Sequence, residues 1–171
     1  LLTAVDGGGS PYSDDVQNGI VSAGDFDWCW GQHAPMILEN GNYLMFDNGF
    51  NRQFGATAPY SRAVEYSINE QNKTVKQVWS WGEMRGASFF SPIISDVDVL
   101  NQTGNRLITS GFIQGSGGSQ AKVVEISHPM NTEEFEITLN FKNTNSSGEF
   151  GWGQIDIVYR AERMPMYEEQ N

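Results

Sequence analysis

One cysteine, Cys29, stands in 171 residues, so the chain closes no internal disulfide, and the redox compartment stays open. Cations are scarce as well: ten Lys and Arg face 21 Asp and Glu, for a formal net charge of −11. A surface that acidic repels nucleic-acid phosphates and anionic lipid, which excludes both as expected partners. An anionic substrate would need a site built from local donors. No apolar run approaches membrane-spanning length. The opening LLTAVDGGGSPYSDD has neither a basic nor an apolar signal region and does not start with Met. The expectation is that any targeting segment lies upstream. The glycine-rich GSGGSQ lacks the lysine and following helix of a phosphate-binding loop.

What the chain does have is aromatic residues and glycine: five Trp, six Tyr, ten Phe and 19 Gly, with 39% hydrophobic residues overall. That mixture suits short strands joined by tight turns and predicts an all-β fold. Asp6 to Asn18 reads as a loop or frayed start. Strands are expected over Ala34 to Leu38, Tyr43 to Asp47, Arg62 to Ile68 and Thr74 to Trp81. The pattern then recurs over Ser91 to Leu100, Gly104 to Thr109, Lys122 to Ile126 and Glu134 to Phe141. An offset of roughly 60 residues between four-stranded units is the signature of a propeller blade. A ninth strand is expected over Gln154 to Arg160.

This predicts one partial β-propeller domain over 1–171, with one blade at 24–86, a second at 87–145 and the first strand of a further blade at 154–166. Two blades and a strand do not close a ring, so the chain is expected to be a fragment that associates with the remainder of the propeller or with another copy of itself.

The densest cluster of chemistry-bearing residues is Asp25-Phe26-Asp27-Trp28-Cys29-Trp30-Gly31-Gln32-His33. His33 directly precedes an expected inner strand, which in a propeller would point it into the channel mouth. An imidazole flanked by indoles there is a candidate nucleophile or general base; the alternative is a structural histidine satisfied by a carbonyl.

The strings DFDWCWGQHAPM, NGNYLMFDNG, YSRAVEY, VKQVWSWG, FFSPI and VYRAERM resemble, in order, the C-terminal half of bacterial arylsulfate sulfotransferases, from Gly24 to Met164. The resemblance implies a six-bladed propeller, a location in the periplasm or outside the cell, and sulfuryl transfer independent of PAPS and of any cofactor or metal. In that scheme a histidine takes the sulfuryl group from an aryl sulfate and passes it to a second phenol. His33 matches the nucleophile and Tyr159 a site tyrosine whose hydroxyl would bind a sulfuryl oxygen. Arg160 follows Tyr159 as a further candidate substrate contact, though its neighbouring position also fits a structural ion pair. Ile94 stands where the family often has threonine, and Ser91 is the candidate replacement hydroxyl. The donor is expected to be a phenolic sulfate and the acceptor a phenol, with the isolated chain inactive.

Weaker candidates read as structural. Arg62 is expected to pair with a carboxylate and His128 to face solvent. Trp28 and Trp30 are expected to share one strand face, Cys29 to be a small buried residue, and Asp47-Asn48-Gly49 to form a turn. The competing function is a non-catalytic propeller used as a protein-binding module. A quinone-dependent dehydrogenase ranks last, because no adjacent cysteine pair or metal-ligand set is present.

Overall fold

A computed structural model describes residues 1–115, 118–141 and 156–164. The strands are β1 (Thr3–Ala4), β2 (Gln32–Ile37), β3 (Tyr43–Asp47), β4 (Arg62–Asn69), β5 (Thr74–Trp81), β6 (Asp96–Val99), β7 (Arg106–Gly115), β8 (Gly118–Ile126) and β9 (Glu133–Asn140), with a one-turn helix α1 (Asp14–Gln17). Turn chemistry sets the hairpins. Gly41 turns β2 into β3 at φ 82°. The Asn69 side chain accepts the Asn72 amide at 2.9 Å between β4 and β5.

The strands form two open sheets, in the orders β1-β5-β4-β3-β2 and β6-β7-β8-β9. Pairing is antiparallel throughout except for β1, which lies parallel to β5.

The expectation of a propeller fragment is therefore corrected. The fold is all-β, but among the described residues neither sheet closes or curls, and the two lie as separate sheets with no ring axis for His33 to face. The sequence period specifies four antiparallel strands and is silent on whether successive sheets circle an axis. The expected strand at 154–160 is also corrected. Its first two residues lie outside the described ones, and the segment 156–164 has no strand structure. β7 and β8 run into the glycine-rich stretch, to Gly115 and from Gly118.

Burial explains the layering. Leu44, Phe46, Ala63, Trp79 and Phe89 pack with Val97, Ile108, Val124 and Ile126 between the two sheets. On the opposite face of the first sheet, Val64, Tyr66 and Val75 pack against Ala4, Val16 and Phe26. Adjacent residues Ala63 and Val64 thus serve different cores, as the two-residue period of a strand requires. The opening residues supply a covering layer: β1 docks on β5, and from the stretch Asp6 to Asn18, expected to be a loop or frayed start, the Gln17 side chain exchanges hydrogen bonds with the backbone of Ala4 at 2.8 and 2.7 Å. Among the described residues no helix is long and apolar enough to cross a membrane.

Candidate active site

His33 lies on β2, the edge strand of the first sheet, opposite Phe46. A bulge separates it from Met36, and the next residue, Ala34, has φ 48°. Bulges of this kind re-aim a side chain at a sheet rim. The ring is half-buried, and its Nδ1 is 2.5 Å from Asn48 Oδ1.

Asn48 is fully buried just beyond β3. Its Nδ2 donates to two backbone carbonyls, Ser91 at 2.7 Å and Ile94 at 2.8 Å. The Ser61 hydroxyl ties the same two segments together, donating to Asn48 O at 2.8 Å and accepting from Ser91 N at 2.9 Å. The loop that receives Asn48 is strained, with Ile94 at φ 52° and Ser95 at φ 94°. A β-branched residue in the left-handed region is an outlier that persists only where its surroundings over-determine it, and such positions cluster at functional sites.

The hydroxyl of Ser91 is engaged within this loop. It donates to Ile93 O at 2.8 Å and accepts the Phe112 amide at 3.0 Å, in a fully buried position. The Ser95 hydroxyl reaches Ser91 Oγ at 3.1 Å and accepts the Gly111 amide at 3.0 Å.

Gly111 in turn anchors the segment carrying Tyr159 and Arg160, because the Val158 amide donates to Gly111 O at 3.1 Å. Tyr159 is 64% exposed. Arg160 pairs with Glu162 at 2.6 Å. Burial raises the carboxyl pKa of Asp96, with Asp98 adding to the shift, and burial together with Glu162 raises that of Asp98. Arg160 opposes both shifts. Among the described residues neither Tyr159 nor Arg160 bonds His33 or Ser91 directly. His33 and Ser91 meet through Asn48, and Tyr159 joins them only through the path by way of Gly111, Ser95 and Ser91.

A buried ion network underlies the site. Asp47 Oδ2 accepts Arg52 Nη2 at 2.8 Å and Arg62 Nε at 3.0 Å, while Oδ1 accepts the Trp30 amide at 2.7 Å and the Gly49 amide at 3.1 Å. Arg52 also pairs with Asp27 at 2.5 Å and stacks 4.0 Å from the Tyr60 ring. The ladder position Asp47 opposite Arg62 is set by β3–β4 register. This network orders the turn that presents Asn48.

His128 and the two tryptophans depart from expectation. His128 does not face open solvent. It is half-buried edge-on against Trp79, with ring centroids 5.3 Å apart, and its Nε2 is 3.8 Å from Glu65 Oε2. Burial and then Arg106 lower its pKa, with Glu65 opposing. Trp28 and Trp30 lie outside any strand. Trp28 donates to Val16 O at 2.9 Å, and Trp30 packs edge-on against Phe54. Cys29 Sγ sits 3.3 Å from Met45 Sδ.

Asn48 carries no functional signal of its own in the sequence, because D-N-G is first of all a turn string. The only available signal was its place in F-D-N-G, one of the strings shared with the family. Among the described residues no group of three or more His, Cys, Asp or Glu is arranged to hold a metal ion.

Comparison with known proteins now bears on this geometry. The family model "Arylsulfotransferase (ASST)" matches residues 1–150. The arylsulfate sulfotransferase AssT of Escherichia coli is 41% identical over 123 residues, covering 70% of this chain and 19% of that protein. AssT of Lelliottia amnigena is 39% identical over 117 residues, covering 66% of this chain and 19% of that protein. The chain thus spans about a fifth of the length of these curated relatives. With the match covering His33, Asn48, Ser91 and Ile94 alike, the chain belongs to the arylsulfotransferase family.

Proposed function

We propose that this chain contributes the nucleophile for sulfuryl transfer from an aryl sulfate ester to a phenol, with His33 as that nucleophile. The observation that carries the reading is the held imidazole: a half-buried ring at a bulged sheet edge, fixed on one nitrogen by a fully buried asparagine.

In the first half-reaction the ring nitrogen not engaged by Asn48 donates its lone pair to sulfur. The N–S bond forms as the S–O bond to the aryl group breaks, and the departing phenolate takes a proton from solvent. In the second, the acceptor phenol loses its proton to solvent and its oxygen attacks sulfur, breaking the N–S bond. A neutral imidazole is a competent nucleophile near pH 7, and covalent catalysis divides one difficult displacement into two. Charge grows on the sulfuryl oxygens and on the leaving phenolate, where positioned donors lower the barrier.

Tyr159 is the proposed donor to a sulfuryl oxygen, its exposed hydroxyl being available for the purpose. Arg160, which is paired with Glu162, is the further proposed contact for an anionic donor. Ser91 acts through the loop that its hydroxyl and carbonyl brace, since both are already engaged there. Exposed Phe50 and Ile93 flank Asn48 and Ile94 in sequence and suit flat phenolic rings. The reading includes a location outside the cytoplasm.

The test uses the full-length protein incubated with an aryl sulfate. A labile added mass of one sulfuryl group on a peptide containing His33 is expected, together with loss of transfer in His33→Ala. An unmodified protein that still turns over, or an unchanged rate in the variant, removes His33 from the mechanism.

A further inference from the structure

We infer that Asn48 is a positioning residue that fixes the tautomer of His33, holding the hydrogen on Nδ1 and leaving the Nε2 lone pair for the electrophile. The inference deepens the proposed function and rests on it for its catalytic consequence, but the tautomer itself follows from the bonding alone.

The orientation of the Asn48 amide is decided by its other partners. Ser91 O and Ile94 O are carbonyl oxygens and only accept, so the group 2.7 and 2.8 Å from them must be the NH₂. That leaves Oδ1, also acceptor-only, facing His33 Nδ1 at 2.5 Å. Two acceptors at that distance would repel, so Nδ1 carries the hydrogen and donates it. In a neutral imidazole the other nitrogen is then unprotonated. Among the described residues Nε2 makes no hydrogen bond.

Asn48 cannot rotate to offer its NH₂ instead, because doing so would strand two buried carbonyls and set an oxygen against them. The Ser61 hydroxyl holds the same two backbone segments together, which locks the carbonyl pair in place. The strained backbone of Ile94 has a purpose in this account: it turns the carbonyl toward Asn48 beside that of Ser91. Because Nδ1–H stays in place, the ring neither gains nor loses a hydrogen over the two half-reactions. Positive charge that develops on the ring when the N–S bond forms lies beside the Asn48 oxygen.

The test is nitrogen-15 NMR of the full-length protein labelled at histidine, read alongside transfer kinetics. Wild-type His33 is expected to show a protonated-type Nδ1 and a lone-pair-type Nε2. Asn48→Ala is expected to lose that single tautomer and to lower kcat by about a hundred- to ten-thousandfold with a smaller change in KM, the scale seen when a catalytic imidazole loses its orienting partner. Hydrogen on Nε2 in the wild type overturns the inference without any variant having to fold. So does an Asn48→Ala protein with both tautomer and kcat unchanged. Failure of the proposed function looks different: transfer would persist in His33→Ala while the NMR tautomer stayed as stated.

Discussion

Gly49 lies so close to Tyr60 that a Cβ at residue 49 would sit 1.8 Å from the Tyr60 carbonyl oxygen. Its φ of 73° adds a conformation that L-residues avoid. Since Gly49 follows Asn48, this contact fixes the turn that presents the His33 partner. Gly49→Ala is expected to cost about 2–4 kcal/mol, a backbone clash added to left-handed strain. Gly41→Ala, at φ 82° in open space, should cost only about 1 kcal/mol. Urea unfolding of both variants checks the pair; equal losses would mean that strain alone, and not the Tyr60 contact, sets the requirement.

Asp47 neutralises two guanidinium groups whose side chains are at most 1% exposed. Asp47→Ala leaves those charges poorly compensated and is expected to destabilise by about 3–5 kcal/mol. The exposed network of Arg85 with Glu133 and Glu136 provides the contrast. Glu133→Ala should change stability by about 0–1 kcal/mol. Comparable denaturation midpoints for the two variants would contradict the assignment of Asp47 as the anchor of the site's foundation.

Burial, reinforced by Asp47, pushes the Cys29 thiol up to about 12. Thiolate is the reactive form, so alkylation of the native protein near pH 8 should be slower than that of the urea-unfolded chain by about a thousandfold. Timed iodoacetamide labelling read by intact mass measures the ratio. Rapid native labelling would show that the thiol is accessible and ionised.

The Asp96 carboxyl titrates above its ordinary value because burial disfavours its charge, with Asp98 adding to the effect. A raised folded pKa means that the native state binds more protons than the unfolded one. Stability from this group is therefore greatest below the ordinary carboxylate value, about 4, and falls as pH rises through the folded value. Asp96→Asn is expected to raise Tm at pH 7, with an advantage that shrinks as pH approaches 4. An advantage independent of pH would assign the effect to packing.

Much of the strand set was legible because alternation and turn chemistry are local. Tyr43–Asp47 and Thr74–Trp81 stand where the pattern put them. The first strand of the second unit starts at Asp96, five residues after the Ser91 that the pattern predicts. The residues before it are apolar, like a strand, yet are spent on the strained loop that receives Asn48. The stretch Asp6 to Asn18 is polar enough to fray, but its Val16 buries beside Phe26 against the first sheet and holds it down.

The order of residues determined by itself the all-β composition, the doubled four-strand pattern and the family strings, but it set His33 just ahead of a strand that begins at Gln32 and includes it. Only the tertiary structure decided that the sheets lie as two open layers, that Arg62 meets Asp47, and that Asn48 holds His33. The physical reason is range. Periodicity of two and turn preference act within a few residues, whereas Asn48 finds its carbonyl partners 43 and 46 positions away, where the packing of one sheet on another brings them.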